Sequence, residues 1–209
     1  MKTQTYVAIG ILVILAACSG NNSKLAIGNG FAIDAPLPAD NPFRLQPANT
    51  IIKFLRWYRN NVKELKQIQL VTHSSAPDSS QYLVVNMPAT EQYLGKLQSS
   101  GFISDKYVDM WRRYFKSVDD DLRKTPQTNT PVKGLDFDFV MWSKDYDDDL
   151  AKIEKSTVEY QSVANNQGTI VIGLPTVGRV KYKIRKEGDK WQIDDIKDMR
   201  TALDQPDND

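Results

Sequence analysis

One cysteine and one histidine, Cys18 and His73, are all that the 209 residues offer of the two side chains that most often hold zinc. A zinc site of the usual Cys/His kind is excluded, and so is any disulfide within the chain. Neither sign of charge is in excess: 27 Lys and Arg face 26 Asp and Glu. A chain this neutral presents no electrostatic footprint for nucleic acid, and no polybasic patch for gripping anionic lipid. No apolar run approaches the roughly 20 residues that a bilayer-spanning helix needs. No cofactor is expected.

The longest apolar run, Tyr6 to Leu15, follows a short start carrying Lys2 and precedes the small residues Ala16 and Ala17 and then Cys18. Its length suits the apolar core of a secretory leader, about 7–15 residues. Leu15-Ala16-Ala17-Cys18 resembles the lipobox of bacterial lipoproteins at every position. That resemblance implies cleavage between Ala17 and Cys18, a diacylglycerol thioether on the Cys18 sulfur and an acylated amine. Several acyl chains, at about 0.8 kcal/mol per buried CH₂, hold firmly where one does not. The anchored chain is then expected on the periplasmic side of the envelope. Ser19, where the sorting rule of enteric lipoproteins reads Asp as retention, favours the outer membrane. Removing Lys2 with the leader leaves the two charge signs balanced.

Residues 1–17 are therefore expected to be a leader and 18–47 a tether rich in proline and glycine, with short apolar islands that can lie on the domain. A domain over 48–198 and a polar tail over 199–209 follow. In ANTIIKFLRWYRNNVKELKQ, apolar spacings of three and four predict an amphipathic helix capped by Asn49 or Thr50. THSSAPDSS reads as a turn-rich loop with His73 in it, and QYLVVN as a short strand. Pro88 suits a first helical turn and Gly101 a helix end. SDKYVDMWRRYFKSVDDDLRK is the strongest helix, capped by Ser104, with Asp105 at its positive end. From about Leu135 the period changes. GLDFDFVMW, STVEYQSVAN, GTIVIGLP, GRVKYKIRKE and KWQIDDIKD all read as strands, joined by hairpin-length turns. Val180, Tyr182 and Ile184 share one face there, with basic residues on the other. The expected class is α+β, N-terminal helices packed on an antiparallel sheet.

This order of elements, with RRYF, GLDFDF and the closing KWQIDDIKD, resembles uncharacterised bacterial lipoproteins and secreted proteins assigned a cystatin-like or nuclear-transport-factor-like cone fold. The resemblance covers roughly residues 48–198. It implies a curved sheet wrapped around helices, and no activity.

Within such a cone, Trp111, Tyr114, Phe115, Phe137, Phe139, Trp142 and Trp191 would converge between helix and sheet. They are the expected pocket or partner surface, although aromatics at helical spacing more often form core. Asp138 and Tyr114 stand nearest in character to the acid pairs of cone-fold enzymes, a warrant from fold analogy alone. In SKDYDDDL, Asp145, Asp147 and Asp149 have the spacing of a calcium loop, but Leu150 and Ser156 occupy the positions that need Gly and Glu. A looser calcium site through Asp145, Asp147 and Asp148 is the alternative to a helix start. Asp194 and Asp195 face opposite sides of a strand, so they form no carboxylate pair, and Asp194 is expected to meet Lys181 or Lys183. The expected function is a lipid-anchored binding module with a protein partner, in its concrete form an immunity protein against an envelope-attacking toxin. A carrier of small apolar ligands and a cone-fold enzyme are the alternatives.

Overall fold

The computed structural model describes residues 47–74, 81–176 and 178–199. The leader, Ala17 and Cys18 of the acylation motif, the tether up to residue 46 and the tail from residue 200 lie outside the described residues. The fold is α+β. Helix α1 (Ala48–Leu65) leads into a two-stranded antiparallel ladder, β1 (Val71–His73) with β2 (Leu83–Val85). Helices α2 (Met87–Ser99), α3 (Asp105–Lys124) and the five-residue α4 (Asp147–Ala151) follow. A 3₁₀ turn (Ile153–Lys155) then introduces β3 (Thr157–Ala164), β4 (Gln167–Gly173), β5 (Arg179–Glu187) and β6 (Lys190–Asp198), a four-stranded antiparallel sheet in sequence order. Among the described residues no helix is long and apolar enough to cross a membrane.

The helices follow their stripes. Ile51, Ile52, Phe54, Leu55, Tyr58, Val62 and Leu65 of α1 are buried, as are Tyr107, Val108, Trp111, Phe115, Val118 and Leu122 of α3. Ser104 caps α3 by accepting the Tyr107 N–H at 3.3 Å. Asn86 does the same for α2, accepting from Ala89 at 3.2 Å, and Pro88 sits in that first turn. Gly101 leaves α2 at φ +76°, a left-handed conformation that glycine adopts without strain. The α1 cap differs from expectation. Pro47 occupies it, and its carbonyl accepts the Thr50 N–H at 2.9 Å with no side-chain cap, so neither Asn49 nor Thr50 has that role. Pro47 already lies in the right-handed helical region, at φ −97° and ψ −5°, and begins the first turn. Asp119, 7% exposed, ties α3 to the small ladder by accepting the Val85 N–H at 3.0 Å and Arg123 Nε at 2.8 Å.

The sheet keeps its expected strands. Ile170, Tyr182 and Ile196 lie in one cross-strand row and Ile172 beside Val180 in the next, all buried with the helices in one core. Asn165 and Asn166, at φ 51° and 63°, turn β3 into β4, the paired left-handed conformation that matches strand twist in a two-residue hairpin. In β6, Ile193 and Ile196 are three residues apart yet both 0% exposed. A bulge at Asp194 explains it: Lys183 pairs with Asp195 and the next residue, Ile184, with Ile193, so the extra residue shifts the pleat. The outer edge of β6 is met by the segment before α3, with Ile193 N–H to Phe102 O at 2.7 Å and Ser104 N–H to Ile193 O at 3.0 Å.

Two expectations need correction. Thr72 and His73 are in β1, opposite Val84 and Leu83, rather than in a loop, since pairing with the apolar β2 supplies the partner that period alone does not show. GLDFDFVMW forms no strand; a side chain captures its backbone, as described below. Asp194 pairs with Arg185 (3.4 Å) and Lys106 (3.7 Å).

Candidate functional site

The segment between α3 and α4 carries Phe137, Asp138, Phe139 and Trp142 of the expected site residues and is organised by one carboxylate. Asp138 Oδ1 accepts the N–H groups of Val140 (3.0 Å) and Met141 (2.8 Å). Its other oxygen, Oδ2, accepts the Tyr58 hydroxyl of α1 at 2.5 Å. The Asp138 carbonyl accepts the Trp142 N–H at 2.7 Å, and the Asp138 N–H donates to Ser143 O at 3.1 Å. An Asp side chain that takes its own downstream amides competes directly with a strand ladder, which is why the alternating Asp-Phe-Asp-Phe run makes a turn. Trp142 is left at φ 53°, uncommon for a bulky residue. The start of the segment is fixed from α3. The Tyr114 hydroxyl donates to Gly134 O at 2.8 Å, and a Cβ on Gly134 would lie 2.8 Å from that same hydroxyl. Only glycine fits there, at φ +87°.

This turn gathers the aromatic set. Phe137 stacks on Trp142 (centroids 5.0 Å apart, planes at 22°), and Trp142 lies 5.9 Å from Trp111. Trp111 contacts Tyr114 edge-on at 5.2 Å and Phe139 at 4.8 Å, while Phe115 meets Phe139 edge-on at 5.2 Å. Such offset and edge contacts add about 0.5–1.5 kcal/mol each beyond area. Phe115 and Phe139 are core beneath the set, whereas Tyr114, Phe137 and Trp142 are half-buried. Together with Met110 and Trp111 these three line a mostly apolar groove of about 400 Å³, bordered by Asp195, Lys197 and Asp198 of β6.

Trp191 does not belong to it. Strand β6 carries Trp191 to its opposite end, into a separate hollow with Phe102, Asn49 and Lys190. The Asp138–Tyr114 pair is not formed either, because Tyr114 is committed to Gly134. Asp138 instead meets residues that sequence reasoning passed over. Tyr58, Tyr93 and Tyr146 surround it and, with Leu135 and Phe137, line a second cavity of about 330 Å³ on the other side of the turn. Burial, then the neighbouring Tyr93 and Asp138, raises the Tyr58 phenol well above its ordinary value. Burial and Asp138 do the same to Tyr93 and Tyr146. All three therefore stay neutral, able both to donate and to accept.

The acidic run starts a helix, and its carboxylates diverge. Asp147 lies 3.9 Å from Lys66 and Asp148 3.6 Å from Lys152. Asp145 is exposed at the turn, where its N–H meets Ser143 Oγ. Asp149, buried, accepts the N–H and hydroxyl of Thr176 at 2.8 and 2.9 Å. Among the described residues no three His, Cys, Asp or Glu side chains gather as a metal set. His73 is exposed at the end of β1.

No protein-family model matches this chain, and comparison with curated proteins and with solved structures finds no match either. The functional reading therefore rests on the site itself.

Proposed function

We propose that the chain is a lipid-anchored binding module of a bacterial cell envelope, tied through Cys18 to the periplasmic side of the outer membrane. Its domain is read as a cystatin-like cone. The observation that carries the binding role is the aromatic groove: Tyr114, Phe137 and Trp142 are half-exposed yet held in place by Gly134 and Asp138. Rigid aromatic side chains at a groove give large contact area at little entropic cost, as at protein-binding hot spots. The partner in this reading is a protein that seats an apolar side chain there, and the concrete form is an immunity protein that blocks a toxin acting in the envelope. No catalytic step is assigned. The apolar lining and volume also favour a second reading, a carrier of small apolar ligands.

Cross-linking and recovery of the full lipidated protein from envelope extract tests the role. The wild type is expected to bring down a stoichiometric protein partner and Trp142→Ala to lose it. Recovery of a co-purifying small apolar molecule from the groove would replace the first reading with the second. For the anchor, Cys18→Ser is expected to abolish incorporation of labelled palmitate and release the protein from the membrane fraction. A Cys18→Ser protein that is still acylated would overturn that part.

A further inference from the structure

The second cavity, on the far side of the turn from the groove, holds a charge without a counter-charge. Asp138 accepts three hydrogen bonds, all from neutral donors: two backbone N–H groups and the Tyr58 hydroxyl. Among the described residues no Lys or Arg forms an ion pair with it, in a structure where most other carboxylates of the core and rim have one. Two lysines stand at the cavity's rim: Lys144 pairs with Asp136 at 2.8 Å, and Lys66 lies 3.9 Å from Asp147 with its ammonium over the Tyr146 ring, 4.7 Å from the centroid. The Tyr146 hydroxyl is buried close enough to Asp138 and Tyr58 to feel both, yet completes no hydrogen bond. A buried hydroxyl without a partner is destabilising, because folding strips it of water and returns nothing. A half-buried carboxylate without a cation carries a desolvation cost of its own.

Chemistry that would satisfy both groups at once is restricted. An ammonium has three donors and one positive charge. The Asp138 carboxylate and the Tyr146 and Tyr93 hydroxyl oxygens are acceptors on one wall. The Tyr146 ring already holds a cation on its face, the chain's own Lys66, and Leu65, Ile68, Leu70 and Leu135 line the approach with aliphatic surface. A carboxylate or phosphate would meet Asp138 with like charge. A neutral alcohol would leave the charge unmatched. We propose that this cavity receives a primary ammonium group on a short apolar stem, seated on Asp138 and Tyr146. The same chemistry comes from a free alkylamine or from a lysine side chain of a partner protein. The site shares only Phe137 with the groove and stands whether or not the groove binds a protein.

Titration calorimetry on the full lipidated chain in detergent tests it, with hexylammonium, hexanol and an acetyl-lysine methylamide as probes. Hexylammonium is expected to bind saturably and hexanol about tenfold more weakly or worse, the range of one charge-assisted hydrogen bond. Asp138→Asn is expected to lower hexylammonium affinity about tenfold. Tyr146→Phe removes no hydrogen bond of the free protein, so it keeps the test sharp if the Asp138 variant misfolds; it is expected to weaken binding about threefold. Tighter binding of the lysine probe than of hexylammonium assigns the site to a partner's lysine, and the reverse assigns it to a free amine. Equal affinity for hexanol, unchanged affinity in folded Asp138→Asn or in Tyr146→Phe, or no saturable binding of hexylammonium to the wild type overturns the proposal.

Discussion

The four-stranded sheet and the 132–146 segment both border the aromatic groove, and they are held by opposite means. In the sheet, stability comes from repetition. Row after row places an aliphatic or aromatic side chain on the core face, and the ladders between neighbouring strands hold the backbone. In 132–146 there is no ladder. One carboxylate, one tyrosine hydroxyl from α1 and two from α3 (Tyr107 to Phe139 O, Tyr114 to Gly134 O) fix the segment, and the aromatic rings pack where that places them. Loss of one member of a repeating row leaves the others in place, whereas loss of the hub frees several groups together. Regular burial makes a scaffold, and a polar hub presents side chains that regular structure would have turned inward or outward by alternation.

The sharpest way to break the comparison is to cut each region at its centre. Ile196, fully buried in the row with Ile170 and Tyr182, loses most of its side chain in Ile196→Ala. That is expected to cost about 2–5 kcal/mol of global stability, read from urea unfolding with an unchanged slope. Asp138→Ala takes acceptors from two backbone N–H groups and from Tyr58, and is expected to cost about 1–3 kcal/mol. Tyr58→Phe removes one of those bonds and is expected to cost about 1 kcal/mol. The difference in kind matters more than in size. Amide exchange in Asp138→Ala is expected to quicken over 138–143 while β4–β6 stay protected, whereas Ile196→Ala loosens the sheet as a unit. Equal protection loss in both regions would show that the hub is part of the global core.

The same contrast explains what could be read from the amino-acid sequence. Strands β3–β6, α2 and α3 were legible because their signals are local: alternation in RVKYKIRK, a capping Ser104, the turn Asn165-Asn166. The bulge at Asp194 left no local signal, since its reason is the burial of Ile193 and Ile196 against a core that only the fold assembles. Strand β1 has no signal of its own, because it is mostly exposed and owes its strand state to pairing with β2. At the site, Trp111, Tyr114, Phe137 and Trp142 were legible as aromatics that ought to meet. Their organiser was not, because Asp138 reads as the polar half of an alternating strand until Tyr58, 80 residues away, supplies its partner. Tyr58 itself reads only as part of α1's apolar stripe.

A smaller effect tests the far end of the irregular region. Glu154, in the 3₁₀ turn before β3, accepts Arg56 Nε at 3.2 Å and Arg59 at 3.2 Å from α1. Burial raises its carboxyl, but the hydrogen bonds and charge of the two arginines outweigh that and leave it below its ordinary value of 4.5. A folded-state value below the unfolded one gives stability that is complete above about pH 4.5 and fades as pH falls through the folded value. The side chain is a third exposed, so the pair is worth about 0.5–1 kcal/mol. Glu154→Gln is expected to lose that amount at pH 7, with the gap to wild type closing on acidification. A gap that stays constant down to pH 3 would assign the effect to packing rather than charge.

The smallest expected change separates the two regions most cleanly, because it uses the same substitution. Tyr182 sits fully buried in the central row of the sheet, and its hydroxyl has no hydrogen-bond partner among the described residues. Burial alone pushes its phenol up. Tyr182→Phe keeps the ring, removes a buried polar group that folding strips of water, and leaves no orphan behind. It is expected to be neutral or to stabilise by up to about 1 kcal/mol. In the hub the corresponding Tyr58→Phe change destabilises, because Asp138 then loses a donor. Opposite signs for one chemical edit, measured as midpoint shifts in parallel urea titrations, are what a sheet held by packing and a turn held by hydrogen bonds require. A destabilising Tyr182→Phe would instead mean that its hydroxyl is satisfied in solution, with water or a neighbour reaching it through the core.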